Sequence, residues 1–205
     1  MTALKIENLC KSFGNKQIIK NMSFSVEAGE VYGFLGPNGS GKTTTIKMIL
    51  GLLSIDSGRV EIGGFDRKKH FEKAMSMVGG VVENPDTYGY LSARKNLEVY
   101  SRARGKVDPE RINEVLRLVG LENRAGDKVK RYSLGMKQRL GLAQAIVHRP
   151  KVLVLDEPTN GLDPAGIREL RDLLKYLAHE EGLAVLVSSH LLSEMQLMCD
   201  RVCIV

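Results

Sequence analysis

VYGFLGPNGSGKTTTIKMILGLL, residues 31–53, is the stretch on which the fold turns. Val31 to Leu35 is a continuous apolar run, the pattern of a strand buried on both faces as in a parallel sheet. Thr43 to Leu53 reads as the helix that follows it. Between them Gly36 to Thr43 matches GxxxxGK[ST], and a strand before with a helix after is the setting in which that pattern folds as a phosphate-binding loop. Gly36, Gly39 and Gly41 let the backbone curl around an anion with its N–H groups inward, and the helix adds its positive N-terminal end. Lys42 can reach the β- and γ-phosphates, and the Thr43 hydroxyl can ligate Mg²⁺. The candidate nucleotide contacts are therefore Gly36, Pro37, Asn38, Gly39, Ser40, Gly41, Lys42, Thr43 and Thr44.

Outward from this segment, short aliphatic runs separated by Gly-containing turns mark an N-terminal strand-rich lobe: LKIENL, MSFSVEAGE and GRVEIGG. Further strands are expected at Met77–Val82, Val152–Leu155 and Leu183–Ser189, with helices between the last two. That alternation of strand and helix gives an α/β fold with a mainly parallel sheet. Residues 84–131 differ in texture. Ser92 caps an expected helix that stops at Gly105, and Asp108 with Pro109 opens another carrying Ile112, Val115, Leu116 and Val119, closed by Gly120. This reads as a helical subdomain inserted into a core made of 1–83 and 132–205. A further helix starts at Asp163 and Pro164, buries Ile167, Leu170, Leu174 and Leu177, and stops at Gly182.

Three more segments carry chemistry. KVLVLDEP, residues 151–158, is an apolar strand ending in two carboxylates. Asp156 there can hold Mg²⁺, and Glu157, pointing another way, can face an attacking water as general base. The plain alternative makes the pair a turn former and a solvated charge. RYSLGMKQRLGLAQAIVHRP, residues 131–150, opens a helix near Ser133 that runs to His148 or Arg149. Ser133, Gly135 and the free N–H groups of that helix start offer a second anion site, or no more than an ordinary cap on an amphipathic helix. Asp163 is a helix cap by the same rules, and His190, alone after LAVLVSS, reads as structural.

Composition narrows the setting. With 205 residues, 43% hydrophobic, a core forms without staples. Cys10, Cys199 and Cys203 are odd in number and lack CxxC spacing, so they read as reduced cytosolic thiols rather than a disulfide or zinc framework. No run approaches the roughly 20 apolar residues of a membrane span, and the N-terminus has no signal-peptide pattern. A net charge of +6 favours polyanionic partners without choosing one. The basic runs at 66–70 and 128–131 lack interleaved aromatics for base stacking, so both are expected to be solvated faces and no nucleic-acid partner is expected.

Taken in order, these motifs resemble the ATP-binding cassette of ABC transporters over nearly the whole chain. The resemblance implies a nucleotide-hydrolysing core with an antiparallel β lobe, a helical subdomain, ATP and Mg²⁺ as ligands, and residue roles that follow the matching positions. Phe13 falls where an aromatic stacks on adenine. Tyr132 to Met136, YSLGM, aligns with LSGGQ, keeping Ser133 and Gly135, which would bind the γ-phosphate held by an opposite subunit in a head-to-tail homodimer. Asp163 matches the loop spanning that interface. His190 matches a histidine that contacts the γ-phosphate, which replaces its structural reading. Glu83 stands where most cassettes have a Gln that reaches toward Mg²⁺ and touches the permease, and is a candidate metal ligand with Thr43 and Asp156, the plain alternative being a solvated loop carboxylate beside Asn84 and Pro85.

ENP at 83–85 together with SLGMKQRLGLAQAI resembles the cassettes of bacitracin and lantibiotic exporters. That implies a separate membrane permease as partner, and a place on the inner face of the cell membrane held only through it. A nucleic-acid-associated ATPase of repair or translation would need a long coiled coil between Lys42 and Ser133, or a second cassette. A non-hydrolysing regulator would be expected to lose Glu157 or His190. RVCIV, residues 201–205, reads as a strand ending without a turn, so the natural protein is expected to be longer.

Overall fold

The computed structural model describes residues 1–83, 85–105 and 107–205. Asn84, where the expected helical segment begins and part of the ENP string, lies outside the described residues. In chain order the first half comprises β1 (Thr2–Phe13), β2 (Lys16–Glu27), β3 (Val31–Leu35), α1 (Lys42–Ile49), β4 (Ser57–Ile62), β5 (Phe65–Asp66), α2 (Phe71–Ser76) and β6 (Val78–Val81). The second half comprises α3 (Ala93–Ala103), α4 (Pro109–Leu118), α5 (Leu134–Ile146), β7 (Val152–Leu155), α6 (Pro164–His179), β8 (Ala184–Ser189), α7 (Leu192–Met198) and β9 (Arg201–Ile204).

These strands form two sheets. One is antiparallel in the order β2-β1-β4-β5, and the other is parallel throughout in the order β6-β7-β8-β3-β9. The apolar residues of LKIENL all point inward across an interruption in the strand. Leu4, Ile6 and Leu9 are buried, and Asn8 adopts φ +50 at an irregularity in the β1–β2 register that turns Leu9 inward. In the parallel sheet both faces are covered, which is why its strands read as unbroken apolar runs. Tyr32, Phe34, Val152, Val154, Ala184 and Leu186 face a core shared with α1 and the β lobe. Val31, Leu35, Leu153, Leu155, Val185 and Val187 face the core beneath α5, α6 and α7.

Local capping rules locate most helix starts. Ser92, Asp108, Ser133 and Asp163 each accept a backbone N–H of the first turn with their side chains. Segment 84–131 supplies α3, α4 and two single 3₁₀ turns, Glu122–Arg124 and Val129–Arg131, and its apolar side chains join the core under α5.

Other expectations need correction. The helix after the phosphate loop ends at Ile49, not Leu53. Gly51 takes φ +75, with the Leu52 N–H donating to the Lys47 carbonyl (2.9 Å) and the Gly51 N–H to the Met48 carbonyl (3.3 Å). The run at 66–70 is not wholly a solvated face. Asp66 and Arg67 are buried, and Arg67 Nη1 donates to the Met48 carbonyl at 2.5 Å, closing the C-terminal end of α1.

Helix α5 is also shorter than its sequence suggested, and it is buried nearly all round rather than amphipathic. Leu140 to Ile146 are consecutively buried, and a Cβ at Gly79 of β6 would collide with the Ala145 carbonyl, so the glycine lets helix and strand backbones touch. The chain leaves the helix because Arg149 turns at φ +56 and His148 folds back, Nε2 donating to the Val78 carbonyl at 3.1 Å. Burial lowers the His148 pKa to about 4, so the ring is neutral there. No helix among the described residues is long and apolar enough to cross a membrane.

Candidate functional site

Four neighbouring strands, β6, β7, β8 and β3, end at one edge of the parallel sheet, and each is followed by a sequence-predicted site residue. Such a row of carboxyl ends is where open α/β sheets bind ligands. β3 runs into the phosphate loop and α1, β7 into Asp156 and Glu157, β8 into His190, and β6 into Glu83.

The loop is shaped by three glycines for different reasons. Gly39 and Gly41 sit at φ +84 and +105, in the left-handed region. Gly36 is required by crowding instead, because a Cβ there would lie 2.7 Å from both Ser40 Oγ and the Val205 carbonyl. The Gly36 N–H donates to the Ser189 carbonyl (3.2 Å) and ties the loop to β8. Helix α1 begins at Gly41 with no side-chain cap, leaving its first-turn N–H groups for an anion. Ser40 Oγ is buried without a hydrogen-bond partner among the described residues, a donor suited to the same anion.

Lys42 closes over this loop. It is 5% exposed, and its Nζ donates to the carbonyls of Gly36 (2.6 Å) and Pro37 (3.2 Å) and lies 3.4 Å from Glu157 Oε1. Asp156 is 3% exposed; its Oδ2 accepts from the Thr43 hydroxyl at 2.8 Å and its Oδ1 from the Ser188 hydroxyl at 2.7 Å. Glu157 takes φ +48 and swings the other way, its Oε2 2.8 Å from His190 Nδ1. The adjacent carboxylates thus diverge, one toward Thr43 and one toward Lys42 and His190.

The donor set at Thr43 and Asp156 fits Mg²⁺. A hydroxyl and a carboxylate oxygen meet there, both hard oxygen donors, and among the described residues no cluster of three or more His, Cys, Asp or Glu side chains could cage a metal. Mg²⁺ characteristically takes one or two protein oxygens and completes its shell with phosphate and water.

Phe13, half exposed, lines a cavity of about 390 Å³ with Lys16, Asn38, Gly39, Thr44 and Glu157. The structure therefore brings its ring to the phosphate loop. Glu83 is on the same sheet edge but turned away: at φ +61, its exposed carboxylate pairs with Lys47 Nζ at 3.0 Å and makes no bond to Thr43 or Asp156. Ser133, Gly135 and Asp163 are brought to one another but not to this cluster. They line a second cavity, of about 550 Å³, with no residue in common with the first. Ser133 Oγ accepts the Met136 N–H (3.3 Å), and Asp163 Oδ1 the Gly166 N–H (2.9 Å). A Cβ at Gly135 would meet only Leu162, at an ordinary 3.6 Å, so packing within the chain does not demand the glycine.

Sequence reasoning missed the polar groups behind the site. Besides Ser188, Thr159 Oγ1 donates to Glu194 Oε2 at 2.7 Å, and the Ser189 hydroxyl donates to the same oxygen at 3.3 Å. The available signal was the pair of serines ending an otherwise aliphatic strand.

A family model described as ABC transporter matches residues 19–160. The chain is 57% identical over 203 residues, 99% of its length and 67% of the relative's, to the uncharacterized ABC transporter ATP-binding protein YhcH of Bacillus subtilis. It is 44% identical to the bacitracin transport ATP-binding protein BcrA of Bacillus licheniformis, covering 100% of this chain and 67% of that one. It thus spans about two-thirds of the length of these relatives. Among solved structures it superposes on cbiO1 from Clostridium perfringens, part of the ABC transporter complex cbiONQ, with TM-score 0.89, 29% identity, and coverage of 99% and 84% of the two chains.

Proposed function

Because this chain belongs to the ABC transporter family, we propose that it is the subunit that binds and hydrolyses ATP, with Mg²⁺, to drive export through a separate membrane permease. The observation that carries this reading is the unbroken series of contacts from Thr43 through Asp156, Ser188 and Glu157 to His190, set beside a phosphate loop whose Ser40 Oγ is buried without a partner among the described residues. Phosphoryl transfer to water depends mainly on positioning and electrostatic stabilisation, and these residues supply both.

The phosphates lie against the loop N–H groups of 38–44, with Lys42 on the β- and γ-phosphates and the Phe13 ring against adenine. Thr43 and Asp156 hold Mg²⁺, which when bound neutralises phosphate charge. Glu157 accepts the proton of the attacking water, and His190 steadies Glu157 and reaches the γ-phosphate. Ser133, Gly135 and Asp163 act on the nucleotide of a second copy in a head-to-tail dimer; their cavity, apart from the loop of their own chain, supports that assignment. Residues 84–131 form the helical subdomain, and 1–83 with 132–205 the core. The relative named for bacitracin transport supports a peptide antibiotic or similar drug as cargo and a place on the inner face of the membrane through the permease.

The expected result is Mg²⁺-dependent phosphate release by the purified chain joined to its permease, measured with a phosphate sensor. Silence at high protein concentration with ATP and Mg²⁺ would refute the enzyme reading. Glu83 supplies a second prediction. As a ligand it adds a hard anionic donor and also negative charge near the γ-phosphate, so ATP affinity should depend more steeply on Mg²⁺ in the wild type than in Glu83→Gln. Leaving Lys47 is required for this role. Superimposable Mg²⁺ titrations of ATP affinity would remove Glu83 from the metal shell and leave it at most a permease contact.

A further inference from the structure

Ser188 places a buried hydroxyl at the end of an aliphatic strand. It lies in β8, whose six residues are all buried, and is itself 0% exposed, in parallel register with Phe34 of β3. A buried hydroxyl is tolerated only when its hydrogen bonds are made. Ser188 Oγ makes two, one to each of the carboxylate residues: it donates to Asp156 Oδ1 at 2.7 Å and accepts the Glu157 N–H at 2.9 Å.

The second bond falls where the backbone needs holding. Glu157 has φ +48, a region that side-chain-bearing residues seldom adopt, and this turn is what sends its carboxylate toward His190 while Asp156 stays on Thr43. The first bond leaves Asp156 Oδ2 facing the Thr43 hydroxyl, the pair that would hold Mg²⁺. A single proton donor and acceptor thus spans the point where the two carboxylates part.

Resting on the hydrolytic reading above, we propose that Ser188 is a positioning residue that couples Asp156 to Glu157, so that metal affinity and the alignment of the base are set by one hydroxyl. Fully buried and bonded to both acids, it acts through them. Outer-shell partners of metal ligands work in this way.

The test compares wild type, Ser188→Ala and Ser188→Thr as the full chain. Binding of a fluorescent ATP analogue is titrated against Mg²⁺, and kcat and KM for ATP are measured beside it. Ser188→Ala should raise the Mg²⁺ midpoint for nucleotide binding, and lower kcat at saturating ATP and Mg²⁺, each by about ten- to a hundredfold. Ser188→Thr, which keeps the hydroxyl, should restore both. A merely structural serine would lower the melting temperature and leave the Mg²⁺ midpoint in place.

A wild-type midpoint and kcat in Ser188→Ala would overturn the proposal, as would a Ser188→Thr variant no better than alanine. If Ser188→Ala does not fold, Ser188→Cys, similar in shape with a weak donor, takes its place, with a shift in the same direction expected and a wild-type midpoint decisive against. If the wild type binds nucleotide but releases no phosphate, the hydrolytic reading fails, while the Mg²⁺ midpoint still decides Ser188.

Discussion

Lys42→Ala is expected to abolish phosphate release and to weaken nucleotide binding severely. The ammonium is almost fully enclosed and is already bonded to the loop carbonyls at 36 and 37, so the cation is held in place before any ligand arrives. Removing one preorganised donor from a site of developing charge costs about 10²–10³-fold in rate, and a full cation against a polyphosphate should lie at or beyond the upper end. The loss should appear in phosphate release and in fluorescent ATP-analogue binding. A melting curve will separate it from unfolding, since the alanine also leaves two carbonyls without their donor. Binding and turnover at wild-type levels would mean that the loop does not hold phosphate through this side chain.

Glu157→Gln should separate binding from turnover. Glutamine keeps the shape and can still hydrogen-bond His190, but it cannot accept the proton of water. General-base catalysis is worth about 10²–10⁴-fold, so kcat should fall by that range while ATP affinity is retained. The variant should also prolong an ATP-bound dimer. Single-turnover hydrolysis and size-exclusion chromatography with and without ATP check the two parts; unaltered turnover would assign the base elsewhere.

Much of the fold was legible because its signals are local. Caps at Ser92, Asp108, Ser133 and Asp163 act within three residues of themselves, and Gly36–Thr43 carries its own shape. β5, α2 and α7 were missed because two, six and seven residues are too short to show a period. The burial of Arg67 depends on where α1 ends, and that depends on Gly51. In the site, residue types were readable and pairings were not. Thr43 and Asp156 are 113 positions apart, and no spacing rule joins them. Ser188 carries no motif; its meaning arises only when β7 and β8 lie side by side. The Lys47–Glu83 pair was equally invisible, since it brings a helix residue to a turn 36 positions away.

The strand order also bears on how the protein is made. β1 and β2 pair across a two-residue turn and can zip as soon as both exist. β3 cannot: its partners in the sheet are β8 and β9 alone. Those strands emerge about 150 residues later, which at ribosomal speeds of 5–20 residues per second is roughly 7–30 s. Through that interval a strand that ends up wholly buried has neither neighbour, so the segment that shapes the finished site is the one the nascent chain must shield longest from aggregation.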